Sequence, residues 1–230
     1  MPPTALARTS HSTIVSAPGS GADRLHPTVV PPPVGRFHAG RRVDNRPESL
    51  PQWRVSSTSS EVAIAVGRLL GGTAAVGDQT AEVLTTSHVV RVILDGPHSI
   101  STEMRLWGPK GVLHHCDGAR FLTPAKVQGT PCGCPDSAKE RVALAKVLRA
   151  PQPETTVTFR LADHYSLGWF EFSSPSRMLA DEAGDIRTKL SSVVGEALCE
   201  LSLDLVTVTV AGSADVSFRR PRLNVIGPWS

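Results

Sequence analysis

WRVSSTSSEVAIAVGRLLGG, residues 53–72, sets out a strand, a turn and a helix in one short run. Trp53 opens the strand. The serines that follow offer a helix N-cap, because a hydroxyl oxygen can accept the free amide hydrogens of the first helical turn. Val62, Ala65, Val66, Leu69 and Leu70 then fall at helical spacing on one face. Gly71 and Gly72 end the helix, as a left-handed C-cap would. A second stretch, WFEFSSPSRMLADEAGDIRTKL (169–190), repeats this grammar: tryptophan, serine-rich turn, and a stripe of Met178, Leu179, Ala183, Ile186 and Leu190. Strands rich in valine and threonine close both units, AEVLTTSHVVRVILDG (81–96) and CELSLDLVTVTVAG (199–212). The pattern predicts a duplicated strand–helix–strand element.

Hairpins fill the interval between the two units. STEMRLWGPKGVLHHC (101–116) predicts two strands joined by Gly108–Gly111, with Met104 and Leu106 facing Val112 or His114. TTVTFRLADHYSLGWFEFSS (155–174) predicts another across Asp163–Ser166. DSAKERVALAKVLRA (136–150) predicts a helix capped by Asp136, with a stripe of Ala138, Val142, Ala145 and Leu148. A last hairpin turns over AGSAD (211–215). The expected class is α+β: an antiparallel or mixed sheet with two to three packed helices.

Nine of the 19 prolines lie in the first 51 residues, which include VVPPPVG (29–35) and show no apolar periodicity. Residues 1–38 are therefore expected to be a disordered leader, and residues 39–230 a single α+β domain. The N-terminus lacks the basic-then-apolar pattern of a secretory signal, and no apolar run approaches a membrane span. Four irregularly spaced cysteines are unlike a secreted disulfide framework. A soluble, intracellular protein is expected.

Of 24 Lys and Arg and 21 Asp and Glu, six and three lie in residues 1–50, leaving residues 51–230 with 18 of each sign. Proteins that grip nucleic acid by themselves carry a basic surplus, because phosphate contacts dominate their affinity. A neutral body argues against that mode. RRPR (219–222) is expected to be a solvated strand edge or loop.

No phosphate-binding glycine loop, dinucleotide turn, His-Glu-x-x-His or Gly-x-Ser-x-Gly is present, so no catalytic residue is assigned. His88, His98 and His164 stand singly and are expected to be structural. Three of the four cysteines gather in HHCDGARFLTPAKVQGTPCGCP (114–135). Zinc takes four ligands in a tetrahedron, commonly from cysteines two to four residues apart. Only Gly133 separates Cys132 from Cys134, tighter than that knuckle, and a fourth ligand has to come from His114, His115 or further away. The candidate metal set is Cys116, Cys132, Cys134 and His114, with structural zinc as the candidate cofactor. Idle thiols beside a Gly/Pro loop are the competing reading, which this spacing favours. A reactive thiol or C-x-C redox pair has less support, since no basic neighbour or βαβ context is evident.

RVDNRPESLPQWRVSS, GG, EVLTTSHVVRVIL, MRLWGPKGVLHHCDG, PCGCPDSAKERVALAK and PETTVTFRLADHYSLGWFEFSSPS follow one another in an order that resembles a known family. These are the recombination directionality factors of large serine integrases, from actinobacterial phages and integrated elements. The likeness spans residues 40–228. It is most specific at Cys116-Asp117-Gly118, at Cys-x-Cys-Pro with its Glu-Arg helix, and at Leu167–Phe170. The resemblance implies a non-enzymatic protein that binds a large serine integrase, with the integrase on its attachment-site DNA. It would switch that integrase from integration to excision of a phage or integrative element. Little direct DNA binding and no membrane partner are implied, and the integrase-contacting residues are not identified. Many relatives carry a further cysteine where this chain has Pro151, which weakens the metal reading. Two alternatives are a metal-binding protein or hydrolase built on the Cys/His residues and a DNA binder acting without integrase.

Overall fold

The computed structural model describes residues 32–44, 46–147, 150–209 and 215–230. Along the chain come β1 (Gly35–Val43), β2 (Arg46–Ser57), α1 (Ser60–Leu70), β3 (Ala74–Val76), β4 (Ala81–Leu84) and β5 (Val89–Leu94). Next are β6 (Ile100–Gly108), β7 (Gly111–Cys116), β8 (Phe121–Thr123), α2 (Ala138–Val147), β9 (Gln152–Leu161) and β10 (Phe170–Ser174). α3 (Arg177–Ser191), β11 (Ala197–Val208) and β12 (Val216–Pro228) complete the order. The class is α+β, on a mixed sheet of twelve strands.

The main path of the sheet runs β12-β11-β5-β9-β10-β1-β2-β4-β3. β9 is where it forks. Gln152–Val157 pairs with β6, which carries β7 and β8, whereas Arg160 and Leu161 pair with β5, which carries β11 and β12. The ladders are antiparallel apart from β1 on β10, where Gly35 stands beside Phe170 and Phe37 beside Phe172. On β9 the burial alternates, with Thr155, Val157, Phe159 and Leu161 inside, as the two-residue period of a strand requires.

Both helices predicted from the serine-rich turns form, with the same local chemistry. The Ser57 hydroxyl accepts from the Ser59 amide and Ser59 caps α1 through the Val62 amide at 3.4 Å. Ser174 accepts from the Ser176 amide and Ser176 caps α3 through the Leu179 amide, also at 3.4 Å. This register aligns Trp53 with Phe170 rather than with Trp169, which precedes β10. Beyond the helices the units diverge. α1 leads to β3 and β4 beside β2, while α3 leads to β11, three places from β10. Gly71 and Gly72 end α1 with positive φ (76° and 107°), but ψ of 157° at Gly71 is extended rather than left-handed helical. The first unit's close fit explains the pair, since a Cβ on Gly72 would lie 2.2 Å from the Leu84 carbonyl oxygen.

Phe37, Trp53, Phe159, Phe170 and Phe172 form the centre of the core, mostly edge to face at 5.1–5.7 Å. Such pairs add about 0.5–1.5 kcal/mol each beyond area burial. Phe37 corrects the expected boundary of order. The sequence placed it after residue 38, whereas β1 begins at Gly35 and Phe37 is 1 % exposed. Its ring fills the space between two sheet neighbours, which proline counting does not register. The remainder of the expected leader, residues 1–31, lies outside the described residues, as does most of the AGSAD turn.

α2 differs from its companions. Its cap is Ser137, whose hydroxyl accepts from the Glu140 amide at 3.0 Å, not Asp136. Val142 and Ala145 of the predicted stripe are only half-buried, and Leu148 lies outside the described residues. Among the described residues no helix is long and apolar enough to cross a membrane.

Candidate metal centre

The centre begins with the alternation of β7. His114 and Cys116 share one face of the strand and His115 takes the other. There the His115 Nε2 meets the Glu103 carboxylate at 2.7 Å and its Nδ1 meets the Thr123 hydroxyl at 3.0 Å. That pleat chooses between the two adjacent histidines: His114 turns toward Cys116, with Nε2 to Sγ 3.1 Å.

Cys-Asp-Gly then reverses the chain. The Asp117 carboxylate accepts from the amides of Ala119 (2.8 Å) and Arg120 (2.7 Å), which hold it below its usual carboxylate range, and Gly118 takes φ of 102°. After β8 the loop folds back along it. The Phe121 amide donates to the Thr130 carbonyl (2.9 Å), the Gly129 amide to the Phe121 carbonyl (2.9 Å), and the Cys132 amide to the Ala119 carbonyl (2.9 Å). Gly133 turns with φ of 74°, and Cys134 comes to rest against Cys116.

Four ligand atoms therefore converge: His114 Nε2 and the Sγ atoms of Cys116, Cys132 and Cys134, all within 4.8 Å of one another. Cys116 and Cys134 are 3.7 Å apart, and Cys134 lies 3.6 Å from the histidine nitrogen. In a zinc tetrahedron with Zn–S of about 2.3 Å and Zn–N of about 2.0 Å, sulfur–sulfur edges are about 3.8 Å and sulfur–nitrogen edges about 3.5 Å. The set can hold a metal ion. It reaches four donors without a cysteine at position 151, where Pro151 lines the adjoining cleft with Met104, Arg141 and Val142.

Burial pushes the Cys116 thiol up to about 12 and raises Cys134 as well, with neighbouring thiols adding to the effect at Cys116. Without a cation these are neutral thiols, poor nucleophiles at neutral pH. Burial and the charge of His115 hold His114 below its usual value, which keeps its imidazole neutral and able to ligate. Two neighbours escape the sequence reading. The Phe121 ring lies 4.7 Å from the His114 ring, and Arg141 donates to the carbonyls of Pro135 (2.7 Å) and Asp136 (2.8 Å) just past Cys134. The only sequence trace of the second is the arginine of the Glu-Arg helix, a turn inside α2.

The His88 carbonyl accepts from the Trp53 indole at 3.1 Å, and His98 faces Asp95 at 3.5 Å. RRPR lies on β12, an edge of the sheet. Arg219 binds the Leu203 carbonyl (3.0 Å), Arg220 pairs with Glu182 (2.9 Å) and Arg222 with Asp204 (3.7 Å). The strand edge is as expected, but each guanidinium is engaged within the protein, and Arg220, with its side chain 18 % exposed, is largely covered rather than solvated.

A family model described as Gp3-like, recombination directionality factor-like, matches residues 34–225, an interval that contains both the core and the Cys/His cluster. No solved structure matches the chain.

Proposed function

The chain belongs to the recombination directionality factor-like family, and on that premise we propose that it binds a large serine integrase and switches it from integration to excision. The observation that carries this reading is the family match over residues 34–225, nearly all of the described chain. In this reading the protein works in the bacterial cytoplasm, and its partner is the integrase assembled on attachment-site DNA.

The mechanism is linkage, without bond chemistry by the factor itself. A protein that binds one arrangement of an integrase–DNA complex more tightly than another shifts the balance by that difference in affinity. A coupling of about 3 kcal/mol changes a ratio more than a hundredfold. The neutral body and the internally paired arginines of β12 support contact with protein over independent capture of DNA. The hydrolase alternative meets a specific objection. Catalytic zinc sites keep a position open for water, whereas four protein donors converge here.

The test is a recombination reaction with purified integrase from the same element, scored on both pairs of sites. Adding the factor is expected to start recombination between the hybrid left and right sites and suppress joining of phage and bacterial sites. Complex formation is expected with integrase alone, and only weak, salt-sensitive binding to bare attachment-site DNA. If neither reaction changes, the assignment falls.

A further inference from the structure

From Asp117 to Val147 no residue whose exposure is described is buried; the nearest buried positions are Cys116 and Ala150. α1 and α3 each bury an apolar stripe, Val62, Ala63 and Val66 in one and Leu179, Ala183, Ile186 and Leu190 in the other. α2 has no equivalent: Leu144 is 36 % and Val147 82 % exposed. The segment nevertheless follows a defined path through the 3-residue strand β8, a chain of turn hydrogen bonds and a capped helix. Exposed backbone hydrogen bonds contribute little net stability against the entropy of ordering so many residues. Something other than a hydrophobic core has to hold this lobe.

We propose that Cys116, Cys132, Cys134 and the His114 imidazole bind one zinc ion in a closed tetrahedral site, and that this ion holds residues 117–147 against the β6–β7 hairpin. The placement of the ligands fits that role. His114 and Cys116 belong to β7, anchored in the sheet by pairing with β6, while Cys132 and Cys134 belong to the lobe. One ion therefore cross-links the two parts, as structural zinc does in domains too small to bury a core. Three sulfurs and an imidazole nitrogen suit zinc and exclude the oxygen-seeking calcium and magnesium. On binding, each of the three thiols loses its proton to solvent and the neutral histidine gives its Nε2 lone pair. The resulting centre carries one net negative charge. Arg141, fixed on the carbonyls of Pro135 and Asp136, brings a positive charge beside it. The proposal does not depend on the integrase assignment.

The experiment uses the full chain purified from zinc-supplemented cells without chelators. Elemental analysis and native mass spectrometry are expected to find one zinc per chain, and cobalt(II) exchange to give the absorption of a tetrahedral thiolate site. Cys132→Ser and His114→Ala are expected to lose the metal, while His115→Ala, which alters the other face of β7, keeps it. Hydrogen exchange of the wild-type protein, with and without a zinc chelator, supplies a readout independent of variant folding. Chelation is expected to open residues 117–147 to exchange and leave β9 and β10 protected. The proposal is overturned by metal far below one per chain, by a Cys116–Cys134 disulfide in the isolated protein, by full metal content in Cys132→Ser, or by unchanged exchange over 117–147.

Discussion

Phe37→Ala removes the residue that decides where the fold begins. Its ring is 1 % exposed and touches three others, Trp53 at 5.7 Å, Phe159 at 5.3 Å and Phe170 at 5.6 Å. Truncating a buried phenylalanine costs about 3–5 kcal/mol, and three lost edge-to-face contacts place this one near 4 kcal/mol. For a domain of this size each kcal/mol moves the midpoint by about 2–4 °C, so a fall of about 8–16 °C is expected. Thermal unfolding followed by circular dichroism measures it, with Val194→Ala, at a position 91 % exposed, as the control. A paired deletion sharpens the test. Removing residues 1–38 takes away Phe37, along with the Val34 amide bond to the Trp169 carbonyl (2.7 Å) and the Ser57 hydroxyl bond to the Val34 carbonyl (2.6 Å). Removing residues 1–31 leaves all of these. The longer deletion is expected to lower the midpoint at least as far as Phe37→Ala, the shorter to leave it near wild type. A Phe37→Ala shift no larger than that of Val194→Ala would refute the placement of β1 in the core.

Ser59→Ala and Ser176→Ala remove the caps of α1 and α3; each is expected to cost about 0.5–1 kcal/mol in urea unfolding, the lower half of the range because both bonds are 3.4 Å long. Aspartate at either position can still accept the amide, so Ser→Asp losing as much as Ser→Ala would rule out capping as the cause. His38 gives a pH signature: burial first, then the Arg54 guanidinium, lower its pKa from 6.5 to about 4, although Glu82 opposes the shift. The unfolded chain therefore binds this proton before the folded one does, so its contribution is intact above pH 6.5 and lost as pH falls toward 4. His38→Asn, titrated by urea midpoint across that window, is expected to show a shallower loss; an unchanged slope would mean that other groups set the acid limb.

The sequence alone determined what depends on neighbours along the chain. Both serine-capped helices, the glycine stop after Leu70, the β6–β7 hairpin and the class of the fold follow from side-chain periodicity and cap chemistry, which act within a few residues. The neutrality of residues 51–230 was legible in the same way, because charge is a count. Tertiary structure decided what depends on distant partners. β1 looked like the end of a proline-rich leader until its parallel ladder with β10 brought Phe37 against three other aromatic rings. The two strand–helix units share their caps but not their return paths, since a strand's place in a sheet is set by the partners available to it. The cysteine site shows the division most sharply. Residue spacing left Cys132 and Cys134 short of a common knuckle and gave no physical reason for His114 to be the fourth ligand ahead of His115. The pleat of β7 makes that choice, and the fold-back along β8 brings Cys132 and Cys134 within 4.8 Å of its two ligands. Ligand geometry is a property of three-dimensional approach, and in this protein that approach is built by hydrogen bonds across β8 that no spacing along the chain encodes.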